Sequence, residues 1–192
     1  NDNSQNSFSW LFTLASTMAC VILGLIALYS SGIGLIDPKL HRAGGFALAL
    51  IVGIAVSRSN RENAKGSSAK YFLPNLCIDF VLLVGGLWSI WSFFFVQTEM
   101  EEALYDVTTA DAWPALVGLV VFLELCRRLW GWGLFCVGAL AVLYLLFGKN
   151  MPGILAHSGF SLTEVAEALW YNTNKGVFGS VTNIVLSTGF IF

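Results

Sequence analysis

The chain has 192 residues, 56% of them hydrophobic and only 11% charged, with a formal net charge of -2. Soluble domains carry about a quarter charged residues, so this composition describes an integral membrane protein. Nucleic-acid binding is excluded for want of a basic stripe. The four cysteines (Cys20, Cys77, Cys126, Cys136) lie singly in apolar segments, without CxxC spacing or a histidine at ligand distance, as inert buried thiols do.

The sequence starts at Asn1, and its first apolar run follows neither a basic region nor a small-residue cleavage site, so a trimmed start is expected rather than a signal peptide. Five apolar runs follow in order: Trp10 to Ser30, Leu40 to Ser57, Phe72 to Val96, Ala112 to Leu125 and Trp130 to Phe147. Crossing a hydrocarbon core takes about 20 helical residues, and about 17 at the least. The shorter runs reach that length through interfacial residues such as His41, Arg42, Arg127 and Arg128, whose long side chains snorkel. The expected fold is all-α, with about five transmembrane helices.

Local charge sets the expected orientation. Arg58, Arg61, Lys65 and Lys70 face the single acid Glu62 in a Gly/Ser-containing loop, which is expected to be cytoplasmic. Gln97 to Asp111 carries Glu99, Glu101, Glu102, Asp106 and Asp111 with no Lys or Arg, as an external loop does. Arg127 and Arg128 return to the inner side, so the amino terminus starts inside and Gly148 to Phe160 lies outside. Trp10, Trp88, Trp91, Trp113, Trp130 and Trp132 fall towards run ends, as in aromatic belts.

After the fifth run, Gly148 to Gly153 is a turn cluster. Ser161-Leu162-Thr163-Glu164 has capping-box form and predicts a helix, with Leu162, Val165, Ala166, Leu169 and Trp170 on one face and Glu164 and Glu167 on the other. Too short to span, this arm is expected on the membrane surface or against other helices. Asn172 to Phe192 then starts a further, more polar membrane helix. Its Ser180, Thr182, Asn183 and Ser187 are candidates for a polar path or a partner-helix face.

Few residues invite chemistry. Asp79, early in the third run, is either a proton- or cation-coupling acid or an interfacial carboxylate with a local partner, since burial at membrane depth costs about 2.5 to 3.5 kcal/mol. Glu124 precedes Arg127 and Arg128 by three and four residues, so the three share a helical face and are expected to form a structural ion pair. His41 and His157 stand apart and make no metal site. There is no GxSG nucleophile frame and no GxxxxGK[ST] loop, so neither an enzyme nor an ATPase is expected.

The run LELCRRLWGWGLFCVGALAVLYLLFG, then MPGILAHSGFSL, then GVFG, resembles the fused permeases of the tripartite ATP-independent periplasmic (TRAP) transporters, especially the branch with TAXI-type binding proteins. Glu124, Arg127, Arg128, Gly131, Trp132, Tyr144, Phe147, Gly148, Pro152, Gly153, Leu155, His157, Gly159, Ser161, Leu162, Gly176, Phe178 and Gly179 carry the likeness, and Pro74 and Asp79 fall where such permeases tend to have them. Up to about Phe72 the likeness is one of hydrophobic pattern. Ser158 departs from the basic or bulky residue often found there, and Ser180 to Ser187 matches only loosely.

The resemblance implies a small DctQ-like four-helix domain over residues 1–126 and the beginning of a DctM-like transport domain over 127–192. It further implies secondary active import across a bacterial cytoplasmic membrane, fed by a periplasmic substrate-binding protein with organic acids or related anions and driven by sodium or protons. The principal substrate and cation sites would lie in the remainder of the DctM-like part, leaving this segment mainly a scaffold with no cofactor of its own. Glu99, Glu101 and Glu102 then become a candidate docking loop, alongside a simply solvated one. The competing expectation is a non-transport anchor or assembly subunit of another complex.

Overall fold

A computed structural model of the chain describes residues 14, 17–22, 24–26, 28–29, 37–65, 72–102, 105–151 and 158–188; the side chains of 59–65, 72–74, 183 and 186–188 fall outside that description. The described residues contain helices and no strand. In chain order the helices are α1 (helical turns within Thr17–Ile26), α2 (Pro38–Lys65), α3 (Phe72–Glu102), α4 (Thr109–Trp130), α5 (Trp132–Phe147), α6 (Leu162–Ala166) and α7 (Ser180–Thr188). A 3-10 turn, Gly148–Asn150, follows α5, and a π-helical turn, Glu167–Tyr171, continues α6.

Among the described residues, four segments are long and apolar enough to cross a membrane: Pro38–Arg58, Asn75–Glu102, Thr109–Trp130 and Trp132–Asn150. The expected first span, Trp10 to Ser30, is helical wherever it is described, although Trp10 and much of the run lie outside the described residues.

Several boundaries differ from the sequence reading, each for a local reason. The basic loop after the second run is largely helix, because Arg58 to Lys65 contains no Gly or Pro and several good helix formers. Lys70 lies outside the described residues. The acidic stretch expected as a loop from Gln97 is helix through Glu102, so Glu99, Glu101 and Glu102 ride the last turns of α3. Trp88 and Trp91 consequently fall mid-helix rather than at an end. Thr108 starts α4 by donating both its N–H and its hydroxyl to Asp111 Oδ2, at 3.0 and 2.6 Å. Gly131, at φ 85°, breaks the chain between α4 and α5, and so moves Trp130 into α4.

The chain divides into two compact units, residues 1–84 with 183–192, and residues 85–182. In the first, Ala43, Phe46, Leu50 and Ile54 form a buried stripe along α2 at helical spacing. Buried polar residues lie near both ends of its apolar stretch: His41 and Arg42 at the start, Ser57 and Arg58 at the finish. Among the described side chains, Asp79 and Leu82 are the buried positions of α3 in this unit.

The second unit holds the rest of α3, then α4, α5 and the arm formed by α6 with its π turn. Serine hydroxyls, a glutamine and a close-packed aromatic group join these elements. No residue of α5 is buried.

Candidate functional site

The arm is built as its sequence predicts. Ser161 Oγ accepts the N–H of Glu164 at 3.3 Å, and Glu164 Oε2 accepts the N–H of Ser161 at 2.6 Å, a complete capping box. These bonds hold the Glu164 carboxyl below its ordinary range, the Ser161 backbone N–H contributing most. Val165, Ala166 and Trp170 are buried and Glu164 and Glu167 exposed, as the periodicity requires, whereas Leu162, expected on the same face as Val165, is exposed in the first turn and Leu169 is half-buried. The last turn widens: the Asn172 N–H donates to Glu167 O at 2.8 Å, an i to i+5 bond that closes the π turn.

Instead of lying loose on a surface, the arm is latched to α3 and α4. The Trp170 indole Nε1 donates to the Ser89 carbonyl at 3.3 Å. Ser89 Oγ donates in turn to the Pro114 carbonyl of α4 at 2.6 Å. Tyr171 adds a second tie, its hydroxyl donating to the Asp111 carbonyl at 2.8 Å. Because that bond uses the one hydroxyl proton of Tyr171, the 2.8 Å contact with Ser92 Oγ must have the serine as donor. Gln97 Nε2 donates to the Tyr171 carbonyl at 2.5 Å and closes the set. Every polar tip the arm brings inward therefore has a partner, as a low-dielectric setting demands. Burial pushes the Tyr171 hydroxyl up to about 12, partly opposed by the Ser92 hydrogen bond.

Aromatic packing fills the space between these bonds. Phe178 packs against Phe93 with centroids 4.2 Å apart and the rings tilted by 36°, and meets Trp170 nearly edge-on at 4.9 Å, and all three rings are fully buried. Gly118 makes room for them on α4. A Cβ there would stand 2.1 Å from Ser89 Oγ and 2.3 Å from Trp170 Cζ2, so only glycine allows the indole this close to the α4 backbone.

The segment after the arm is a loop through Gly179 rather than the start of a helix. Asn172 Oδ1 caps the turn by accepting the N–H groups of Asn174 and Lys175, at 2.9 and 3.0 Å. Gly176 takes φ 73°, and a Cβ there would lie 2.3 Å from the Leu169 carbonyl oxygen. This turn carries Phe178 into the aromatic cluster.

Asp111 is a junction between the turn before α4 and the arm. Its Oδ2 accepts from Thr108 and from Tyr105 Oη at 2.7 Å, while its backbone carbonyl accepts from Tyr171. The same carboxylate raises the pKa of the Tyr105 hydroxyl, chiefly through that hydrogen bond.

At the other end of α4, Glu124, Arg127 and Arg128 come together as expected. Arg127 Nε and Nη2 bind the two Glu124 oxygens as a fork, and Arg128 Nε shares Oε1, each at 2.7 Å. Asp79 is buried on α3. His41 is buried at the start of α2, and its ring nitrogens have no hydrogen-bond partner among the described residues. His157 lies outside them. Ser180 is exposed, and Thr182 Oγ1 donates to the Val177 carbonyl at 2.6 Å. The side chains of Asn183 and Ser187 are outside the described residues, so the four polar-path candidates are not brought together in what is described.

Sequence reasoning missed Ser89, Ser92, Gln97, Asp111 and Tyr171 as a set. A signal for one of them was present: Thr108-x-x-Asp111 before an apolar run is a helix-start pattern.

Fold and site together define a multi-pass, all-α membrane protein with an arm helix fastened to two of its long helices. No protein-family model, curated protein or solved structure matches the chain.

Proposed function

We propose that this chain is the fixed scaffold of a TRAP-type secondary transporter in a bacterial cytoplasmic membrane, with its amino terminus in the cytoplasm. The latched arm is the observation that carries the reading. An element that must hold still while a neighbouring transport core moves needs both polar ties and close packing, and Trp170, Tyr171 and Phe178 supply both to α3 and α4. The likeness of Leu123 to Asn174 to fused permeases supports it from the sequence side.

In this proposal a DctM-like core binds organic acids or related anions handed over by a periplasmic binding protein, and a sodium or proton gradient drives uptake. The scaffold contributes position rather than ligand chemistry, and no catalysis is assigned to it. Glu99, Glu101 and Glu102, on the last turns of α3, offer the binding protein an acidic surface.

The complete permease and its binding protein, reconstituted in vesicles, should take up labelled organic acids under an imposed sodium or proton gradient. A disulfide crosslink between the arm and a neighbouring core helix should stop that uptake. Full uptake with the crosslink closed would remove the scaffold role, and no gradient-driven uptake of any tested acid would favour an anchor or assembly subunit. Glu101→Lys with Glu102→Lys should impair only the binding-protein-dependent part.

A further inference from the structure

The ion cluster at the end of α4 leaves part of its bonding capacity unused. Arg127 turns one edge of its guanidinium, Nε and Nη2, onto Glu124. Its Nη1 has no partner among the described residues, and the side chain is 34% exposed, against 6% for Arg128.

Its surroundings point to the edge of a bilayer. The Arg127 guanidinium carbon lies 5.1 Å from the Trp132 ring centroid, in cation–π contact, and Trp132 and Trp130 are 65% and 69% exposed. Both indoles stand at helix ends, Trp130 closing α4 and Trp132 opening α5, and indoles at the ends of spans sit at headgroup level. Beyond Trp132, α5 is apolar along its whole length and none of its residues is buried, with Val137 and Leu140 among the most open. A free cationic edge thus heads an apolar lane. That order, charge at the boundary and hydrocarbon below it, is the order of a phospholipid.

We propose that Arg127, braced by Glu124 and Trp132, binds the phosphate of an anionic phospholipid whose acyl chains lie along α5. The guanidinium edge not used by Glu124 can donate to a phosphate oxygen, and Glu124 fixes the plane of that edge so that little side-chain freedom is lost on binding. The site rests on the membrane class of the chain and not on its proposed role in transport.

Native mass spectrometry of the purified protein in detergent tests this, with phosphatidylglycerol and diacylglycerol of identical acyl chains added in equal amounts. The wild type should hold phosphatidylglycerol with a preference of about tenfold, the size of one hydrogen bond to a charged group. Arg127→Gln should abolish the preference. Arg127→Lys keeps the charge but not the planar fork that Glu124 holds in place, so it too should lose most of the preference while folding normally, which keeps the test decisive if the glutamine variant does not fold. Millimolar inorganic phosphate should leave the lipid adduct in place. An undiscriminating wild type, a lysine variant with unchanged preference, or displacement by free phosphate would each overturn the proposal. So would dimers in place of lipid adducts, because α5 would then be a protein interface.

Discussion

Trp170 and Ser89, 81 positions apart, are joined by an indole N–H donating to a helix carbonyl, and the same serine uses its hydroxyl to bind the Pro114 carbonyl of the next helix. One residue of α3 thereby ties both α4 and the arm. In a bilayer, lipid tails are as apolar as the side chains they cover, so close packing and hydrogen bonds decide helix association more than burial does. The arm has both.

Gly118→Ala should loosen that junction. The added methyl meets Ser89 Oγ and the Trp170 ring, and the α4 backbone carrying it cannot retreat without disturbing Pro114. Overpacking of this kind costs about 1 to 3 kcal/mol. Unfolding in detergent should show the loss, and combining it with Trp170→Leu should cost less than the sum of the two changes. Strict additivity would mean that the glycine and the indole do not share this space.

Tyr171→Phe removes a hydroxyl that accepts from Ser92 and donates to Asp111 while leaving the ring packing unchanged. A loss of about 1 kcal/mol is expected, between the average and the largest values for hydrogen bonds joining membrane helices. Adding Ser92→Ala should cost little more, because the serine has already lost its acceptor. A large extra loss in the double variant would assign Ser92 a different partner.

Alkaline pH should weaken the same tie. The Tyr171 hydroxyl titrates near 12 in the folded protein, against about 10 when unfolded. Below about pH 10 both states keep the proton and its contribution to stability is complete. As pH rises towards 12 only the unfolded chain releases the proton, so the folded state loses ground. The melting temperature of the wild type should therefore fall more steeply than that of Tyr171→Phe across this window, and parallel curves would refute the assignment.

Ser161→Ala should fray the arm at its start without unlatching its end. The capping hydroxyl is lost, while Trp170 and Tyr171 keep their bonds to α3 and α4. Hydrogen exchange of the Glu164 and Val165 amides should quicken about fivefold, as expected for a missing N-cap, and Asn172 should be unaffected. Equal acceleration along the whole arm would indicate that cap and latch form a single cooperative unit.

The membrane class, the long apolar helices, the capped arm with its buried face and the Glu124–Arg127–Arg128 cluster all follow from patterns only a few residues wide. Hydrophobic run length, i to i+4 spacing and a capping box are local, and local order is what a sequence displays directly. Helix ends were less legible: α2 and α3 run on through polar residues because nothing in Arg58 to Lys65 or Gln97 to Glu102 breaks a helix, while Asn172 and Gly176 form a turn where apolar content alone suggested a helix. Tertiary structure alone decided that Ser89, Ser92, Gln97, Gly118 and Tyr171 belong to one latch. Each is unremarkable in its own helix, and they acquire partners only when segments some 80 positions apart pack together, a pairing that no local periodicity encodes.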